Sequence, residues 1–261
     1  MSVLLRVLAL CLALLPMVAG ADSAAQRRQL LFGHDDRVAV DDNSVAPYAA
    51  IGKLEMQSGA RCSATLIAPD LVATAAHCFA TEPGRVDRPV SFMAGYRDGR
   101  GQAIYRATGM QVPPGFRHGV HQVGERLFIR TRAAPFDIAL VRVTRLHGRA
   151  DIAPMPAFVG DRDALRDALT RRDNRVEQAG YAYDHREQLY THRDCRVTAL
   201  NDDNTLSHRC DTLSGDSGSP IWLETADGPR LIAVQSAAPT ADRRASADNT
   251  AVTLLQIASR P

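Results

Sequence analysis

Ser217 stands inside Gly215-Asp216-Ser217-Gly218-Ser219-Pro220, a run of small and polar residues. A serine hydroxyl becomes a useful nucleophile when a base within hydrogen-bond reach takes its proton and a third group orients that base. The oxyanion that forms also needs donors aimed at it. Gly215 lets the backbone turn so that its own N–H and that of Ser217 can point into one small space. Alone, such a loop reads equally well as an ordinary turn. The partners are found elsewhere in the chain. Thr74-Ala75-Ala76-His77-Cys78 supplies His77, and Phe136-Asp137-Ile138-Ala139-Leu140 supplies Asp137 at the head of an apolar run. A carboxylate there is costly to bury without a partner, and an imidazole N–H is such a partner. The chemistry that these three support is acyl transfer through a serine.

The order His77, Asp137, Ser217 separates this arrangement from others. An α/β-hydrolase runs Ser, Asp, His and carries G-x-S-x-G, which fails here at Ser219. The Asp-His-Ser order of subtilisin-type enzymes fails as well.

The elements that must hold these groups read as mostly β. Residues 61–69 form a short strand pattern ending at Pro69-Asp70, and residues 71–78 a second apolar run that carries His77 at its end. From Asp137, Ile138 and Leu140 alternate with Arg142, the period of a half-buried strand. Residues 195–210 read as a hairpin about Asn201-Asp202-Asp203-Asn204, and residues 220–236 as another about Asp227-Gly228. Many short strands at close spacing predict an all-β sandwich or barrel. One helix is predicted near residues 161–172, with Ala164, Leu165, Ala168 and Leu169 as its apolar stripe and Asp161 as its cap. Residues 249–259 are ambiguous between strand and helix, and the Pro-rich stretch near residue 154 is the candidate linker between two halves.

With 261 residues, 45% hydrophobic and 23% charged, the chain is long enough for one large or two small cores. A net charge of +2, with both signs interleaved, gives no reason to expect a nucleic-acid partner. Residues 1–21 read as a secretory signal peptide: Arg6, an apolar run from Val7 to Leu15, Pro16, then Ala19, Gly20 and Ala21. A membrane anchor is the competing reading, but that run is shorter than the ~20 residues a spanning helix needs. Residues 22–36 would be an N-terminal segment or short propeptide, with dibasic Arg27-Arg28 a further processing point. The expectation is a protein secreted to the periplasm or the medium, not inserted in a membrane, and a monomer. Cys62, Cys78, Cys195 and Cys210 then face an oxidising compartment, with three connectivities open. No C-x-x-C pair exists, and His34, His118, His121, His147, His185, His192 and His208 read as surface or loop residues, so no metal is expected.

The stretches CSATLIAPDLVATAAHC, DIALVRV and GDSGSP, together with HDDRVAV at residues 34–40, resemble trypsin-like serine proteases of the chymotrypsin fold, nearest to the bacterial V8-like branch. The resemblance implies two six-stranded antiparallel β-barrels, residues 37–150 and 151–261, with the active site in the cleft between them. It implies a serine endopeptidase acting on protein or peptide substrates through an acyl-enzyme, without a cofactor. His77 and Asp137 would come from the first barrel and Ser217 from the second, with the oxyanion hole at the Gly215 and Ser217 N–H groups. It also implies a disulfide closing the histidine loop, matched by Cys62 and Cys78, and with it the pairing of Cys195 and Cys210. The chain departs from animal trypsins in having Leu213 and Ser214 where a pocket cysteine is usual, and in lacking their Ile-Val-Gly-Gly start. In ungapped register Asp211 falls at the base of the substrate pocket, with Thr212, Gln235 and Ser236 around it. A carboxylate there would favour Arg or Lys before the scissile bond. Cleavage after Glu is the alternative, although Gln235 stands where a His would be expected; Asp211 could instead cap a turn or pair with Arg209. An inactive binding protein on this fold, or an esterase using the same residues, are the competing functions.

Overall fold

The computed structural model describes residues 24–80, 84–123 and 126–258; the signal-peptide reading of residues 1–21 lies outside them. A short helix α1 (Ala24–Leu30) precedes β1 (Val38–Ala39), β2 (Ile51–Met56), β3 (Arg61–Ala68), β4 (Leu71–Thr74), β5 (Pro89–Ala94) and β6 (Ala103–Gln111). Then follow β7 (Val120–Val123), β8 (Arg126–Ile129), β9 (Ala139–Gly148), α2 (Arg162–Arg171), β10 (Arg175–Gly180), β11 (Tyr190–Leu200) and β12 (Thr205–His208). The last elements are β13 (Pro220–Thr225), β14 (Gly228–Ala237), β15 (Asn249–Thr253) and α3 (Leu255–Ala258).

Apart from β1 and the separate β7–β8 hairpin, these strands form two closed antiparallel barrels. The first runs β2-β3-β4-β9-β6-β5. The second runs β11-β10-β13-β14-β15-β12, closed by the β11–β12 pairing, with β1 added outside β11. The expected pair of six-stranded barrels is therefore present. Strand β9 does alternate, but in the other phase from that expected: Ala139, Val141 and Val143 are buried, while half-buried Leu140 shares the outer face with exposed Arg142 and Thr144. Register shifts in β6–β9, β11–β12 and β13–β14 supply the bends that closure needs.

The first barrel's core is continuous with the junction between the barrels, where Trp222, Leu231 and Val234 join it, and the second barrel has a further core of its own. Ile51, Leu54, Leu66, Val72 and Phe92 lie in the first core, and Val176, Val197, Leu206 and Ile221 in the second. Helix α2 closes the second core with Leu165, Ala168 and Leu169, and Asp161 caps it by accepting the Ala164 N–H at 2.9 Å. The Pro-rich stretch joins the barrels and is pinned to both: the Met155 N–H donates to Leu66 O at 2.9 Å and the Leu231 N–H to Pro156 O at 2.9 Å. The ambiguous C-terminal stretch divides into strand β15 and helix α3. Disulfides join Cys62 to Cys78 and Cys195 to Cys210, the pairing that the resemblance implies. Among the described residues no helix is long and apolar enough to cross a membrane.

Candidate active site

Strands β4 and β9 pair side by side, with Thr74 opposite Ala139. His77 lies in the 3-10 turn Ala76–Phe79 just after β4, and Asp137 caps the 3-10 turn just before β9. Adjacent strands thus deliver both groups to the same end of the first barrel. Asp137 is fully buried and its two oxygens are taken. Oδ1 accepts the His77 backbone N–H at 2.7 Å. Oδ2 accepts His77 Nδ1–H at 2.7 Å and the Ser236 hydroxyl at 2.5 Å. With its Nδ1 proton engaged, His77 presents Nε2 to Ser217 Oγ at 2.9 Å. Burial opposes charging the imidazole, but the Asp137 carboxylate and its hydrogen bond outweigh it, and the His77 pKa is raised above its ordinary value.

Ser217 lies between β12 and β13 on a loop whose carbonyls are turned away from it. Ser214 O accepts the Tyr183 N–H at 2.7 Å, and Gly215 O accepts the Ser63 hydroxyl at 3.0 Å. Ser63 Oγ in turn accepts the Tyr181 N–H at 3.0 Å, so one side chain of the first barrel ties two segments of the second. Gly215 takes φ +101°, and among the described residues neither its N–H nor that of Ser217 meets a backbone acceptor. Two donors beside the Ser217 hydroxyl are therefore without a backbone acceptor, an arrangement able to receive a negative oxygen. Gly218, at φ +79°, sits where a Cβ would fall 2.1 Å from Thr74 Oγ1 and 2.3 Å from Ser63 O. The close approach of the two barrels at this loop requires glycine.

Beneath the loop, buried Asp216 accepts the Leu213 N–H at 2.9 Å and the Thr212 hydroxyl at 3.3 Å. Burial pushes its pKa up to about 6, against the Leu213 N–H and the nearby Arg37 charge, which pull it down. Arg37 is itself buried, held by Asp35 at 2.8 Å and Asp184 at 2.7 Å.

The cleft beside His77 and Ser217 has a volume of about 570 Å³, and Thr212, Leu213, Gln235 and Ser236 line it. Asp211 does not line it, contrary to the ungapped register. Its carboxylate accepts the Asp36 N–H at 2.8 Å, lies 3.3 Å from His192 Nδ1, and faces a separate small cavity shared with Arg37 and Asp216. The Asp36 N–H holds the carboxylate away from the pocket, and His192 Nδ1 accepts the Asp211 backbone N–H at 2.8 Å. Ser236 lines the cleft, yet its hydroxyl is spent on Asp137. His208, read as a surface or loop residue, is fully buried in β12. Its Nδ1 accepts the Cys210 N–H, so Nε2–H donates to Gln235 Oε1 at 2.8 Å, while Gln235 Nε2 donates to Ala237 O at 3.1 Å. Burial lowers the His208 pKa to about 4 and keeps it neutral.

Sequence reasoning missed Ser63, Tyr181, Tyr183 and Arg37. Ser63 meets Tyr181 and Gly215 only across separations of 118 and 152 residues, and no local pattern marks it.

No curated protein sequence matches the chain. Among solved structures, a Glu endopeptidase in complex with MPD is similar at 22% identity and TM-score 0.64, covering 85% of this chain and 92% of that one. A thermostable serine protease, AL20, from an extremophilic microorganism is similar at 18% identity and TM-score 0.55, over 78% of this chain and 90% of that one. The protease Anisep from Arthrobacter nicotinovorans is similar at 18% identity and TM-score 0.54, over 78% and 89%. These likenesses agree with the two-barrel fold. The trypsin-like peptidase domain family matches residues 62–234, which include His77, Asp137 and Ser217, and the chain belongs to that family.

Proposed function

We propose that the protein is an exported serine endopeptidase of the V8-like branch, with His77, Asp137 and Ser217 as its catalytic residues. The observation that carries this reading is the unbroken chain of hydrogen bonds from Asp137 through His77 to Ser217, at 2.7 and 2.9 Å. Ser217 Oγ attacks a peptide carbonyl while His77 Nε2 takes its proton, and Asp137 stabilises the imidazolium. The Gly215 and Ser217 N–H groups receive the oxyanion. Collapse breaks the C–N bond, and His77 returns the proton to the leaving amine. Water, deprotonated by His77, then releases the acid from the acyl-enzyme and restores Ser217. Two disulfides and the signal-like residues 1–21 support export.

The pocket argues for an uncharged side chain before the scissile bond. Among the described residues that line the cleft, His77 is the only one with an ionisable side chain. Asp211 is held elsewhere and lies near the Arg244 charge, so it offers little to an incoming Arg or Lys. The Glu endopeptidase likeness does not bring a Glu preference with it, because neutral Gln235 and Thr212 provide no cation for a carboxylate.

Cleavage of a diverse peptide mixture by the exported protein, with Ser217→Ala as control, tests the reading. Cleavage after uncharged residues is expected, lost in Ser217→Ala. Peptide cleavage unchanged in Ser217→Ala would remove the serine-protease reading. Ester turnover without peptide cleavage would make the protein an esterase, and no turnover of either would make it a binding protein. A preference for Arg peptides that Asp211→Ser abolishes would return Asp211 to the pocket.

A further inference from the structure

The two walls of the cleft are the segment Thr212–Ser214 and the segment running from Gln235 to Thr240. Among the described residues no disulfide joins them, since the four cysteines there are used at Cys62–Cys78 and Cys195–Cys210. A different segment reaches both. Leu31 is buried against Leu213 and Ala182, with Leu30 and Tyr183 packed around them. The next residue, Phe32, carries the Arg244 guanidinium 4.3 Å and that of Arg209 5.7 Å from its ring centre. Helix α1 lies against the 3-10 turn Ala241–Arg243, which continues the second wall. The Asp36 N–H holds Asp211, which continues the first. Leu30 itself lines the cleft that contains His77 and Ser217.

We propose that residues 30–32 form a noncovalent clasp across the substrate pocket, and that Leu30 is a specificity-determining residue forming part of its apolar lining. The side chain of an incoming substrate residue would meet Leu30, and Leu31 and Phe32 would set the distance between the walls. This rests on the serine-peptidase reading for its substrate but not for its mechanics. Processing at Arg27-Arg28 would leave the clasp in place, because all three residues follow that point.

Two measurements test it separately. The first is amide hydrogen exchange, which needs no activity. Leu31→Ala should speed exchange about tenfold in both 212–216 and 237–244 and leave the strands of the first barrel unchanged. Phe32→Leu keeps an apolar side chain while removing the ring, and should loosen 237–244 even if Leu31→Ala does not fold. Unchanged exchange in both wall segments of Phe32→Leu would overturn the clasp. The second is kinetic. Leu30→Ala should raise KM about tenfold for peptides with Leu before the scissile bond, with a smaller change for Ala peptides and for kcat. An unchanged KM would remove Leu30 from the pocket, and a rise in kcat/KM would make the segment an obstruction instead. If the unmodified protein cleaves no peptide in a Ser217-dependent way, the peptidase reading fails, and the exchange result still decides the clasp.

Discussion

Asp137 has no solvent exposure, so every hydrogen bond it accepts offsets part of the cost of burying its charge. Ser236 supplies one of the two bonds to Oδ2, and His77 supplies the other. Removing the Ser236 hydroxyl leaves the histidine pair intact but frees Oδ2 to shift. Ser236→Ala is expected to lower kcat by about tenfold with little change in KM, the loss of one charge-assisted hydrogen bond. A change confined to KM would return Ser236 to a purely substrate-binding role. Asp137→Asn should cost about 10⁴ in kcat, because the amide favours the wrong imidazole tautomer. At this scale the sequence was readable where chemistry itself limits residue type. A histidine, a carboxylate and a serine in that order leave few alternatives, and the structure brings the three side chains together. Asp211 was not readable, because the direction of a carboxylate depends on what else bonds it, here the Asp36 N–H, 175 residues away in sequence.

Hairpins and strands were legible from alternation and turn residues, since β11–β12 and β13–β14 close over short connections. Helix α1 was not, because its seven residues have no buried side chain to mark a face. The C-terminal stretch was ambiguous because apolar residues span the end of β15 and the start of α3. The two disulfides span 16 and 15 residues, so each stabilises by roughly 3 kcal/mol in the chain-entropy model. Their surroundings differ. Cys62 precedes Ser63 and Cys78 follows His77, so that bridge joins the strand tied to the Gly215–Ser217 loop to the turn carrying His77. Cys195–Cys210 braces β11 against the end of β12. The double replacement Cys62→Ser with Cys78→Ser should therefore lower both stability and kcat. Replacing Cys195 and Cys210 should lower stability by a similar amount and leave kcat nearly unaffected. Urea unfolding with parallel kinetics would check this, and equal kinetic losses would mean that the first bridge has no special tie to the site.

Across the whole molecule, three titratable groups are buried, His77 at the contact between the barrels, His208 inside the second barrel and Asp216 beneath the Ser217 loop, and they respond to pH in different directions. On the proposed mechanism His77 must be neutral to accept the Ser217 proton, so activity should rise with pH through its raised pKa. The same raised pKa favours the folded state in acid, and that stability is lost as pH climbs through the folded value. His208 acts oppositely. Its folded pKa of about 4 lies below the ordinary 6.5, so its contribution is present above 6.5 and is lost as pH falls toward 4. Asp216 is held near 6 against an ordinary 3.8, chiefly by burial. The fold therefore binds its proton more tightly than the unfolded chain does, and stability from this group is full below 3.8 and lost as pH rises through 6. Charging Asp216 at neutral pH then costs the fold up to roughly 3 kcal/mol. Asp216→Asn removes that titration while keeping an oxygen for the Leu213 N–H. Measured by urea unfolding between pH 4 and pH 7, the variant's stability relative to the unmodified protein should improve steadily as pH rises. A relative stability that stays flat, or falls, would mean that Arg37 compensates the buried charge fully and that Asp216 is an ordinary ionised carboxylate beneath the Ser217 loop.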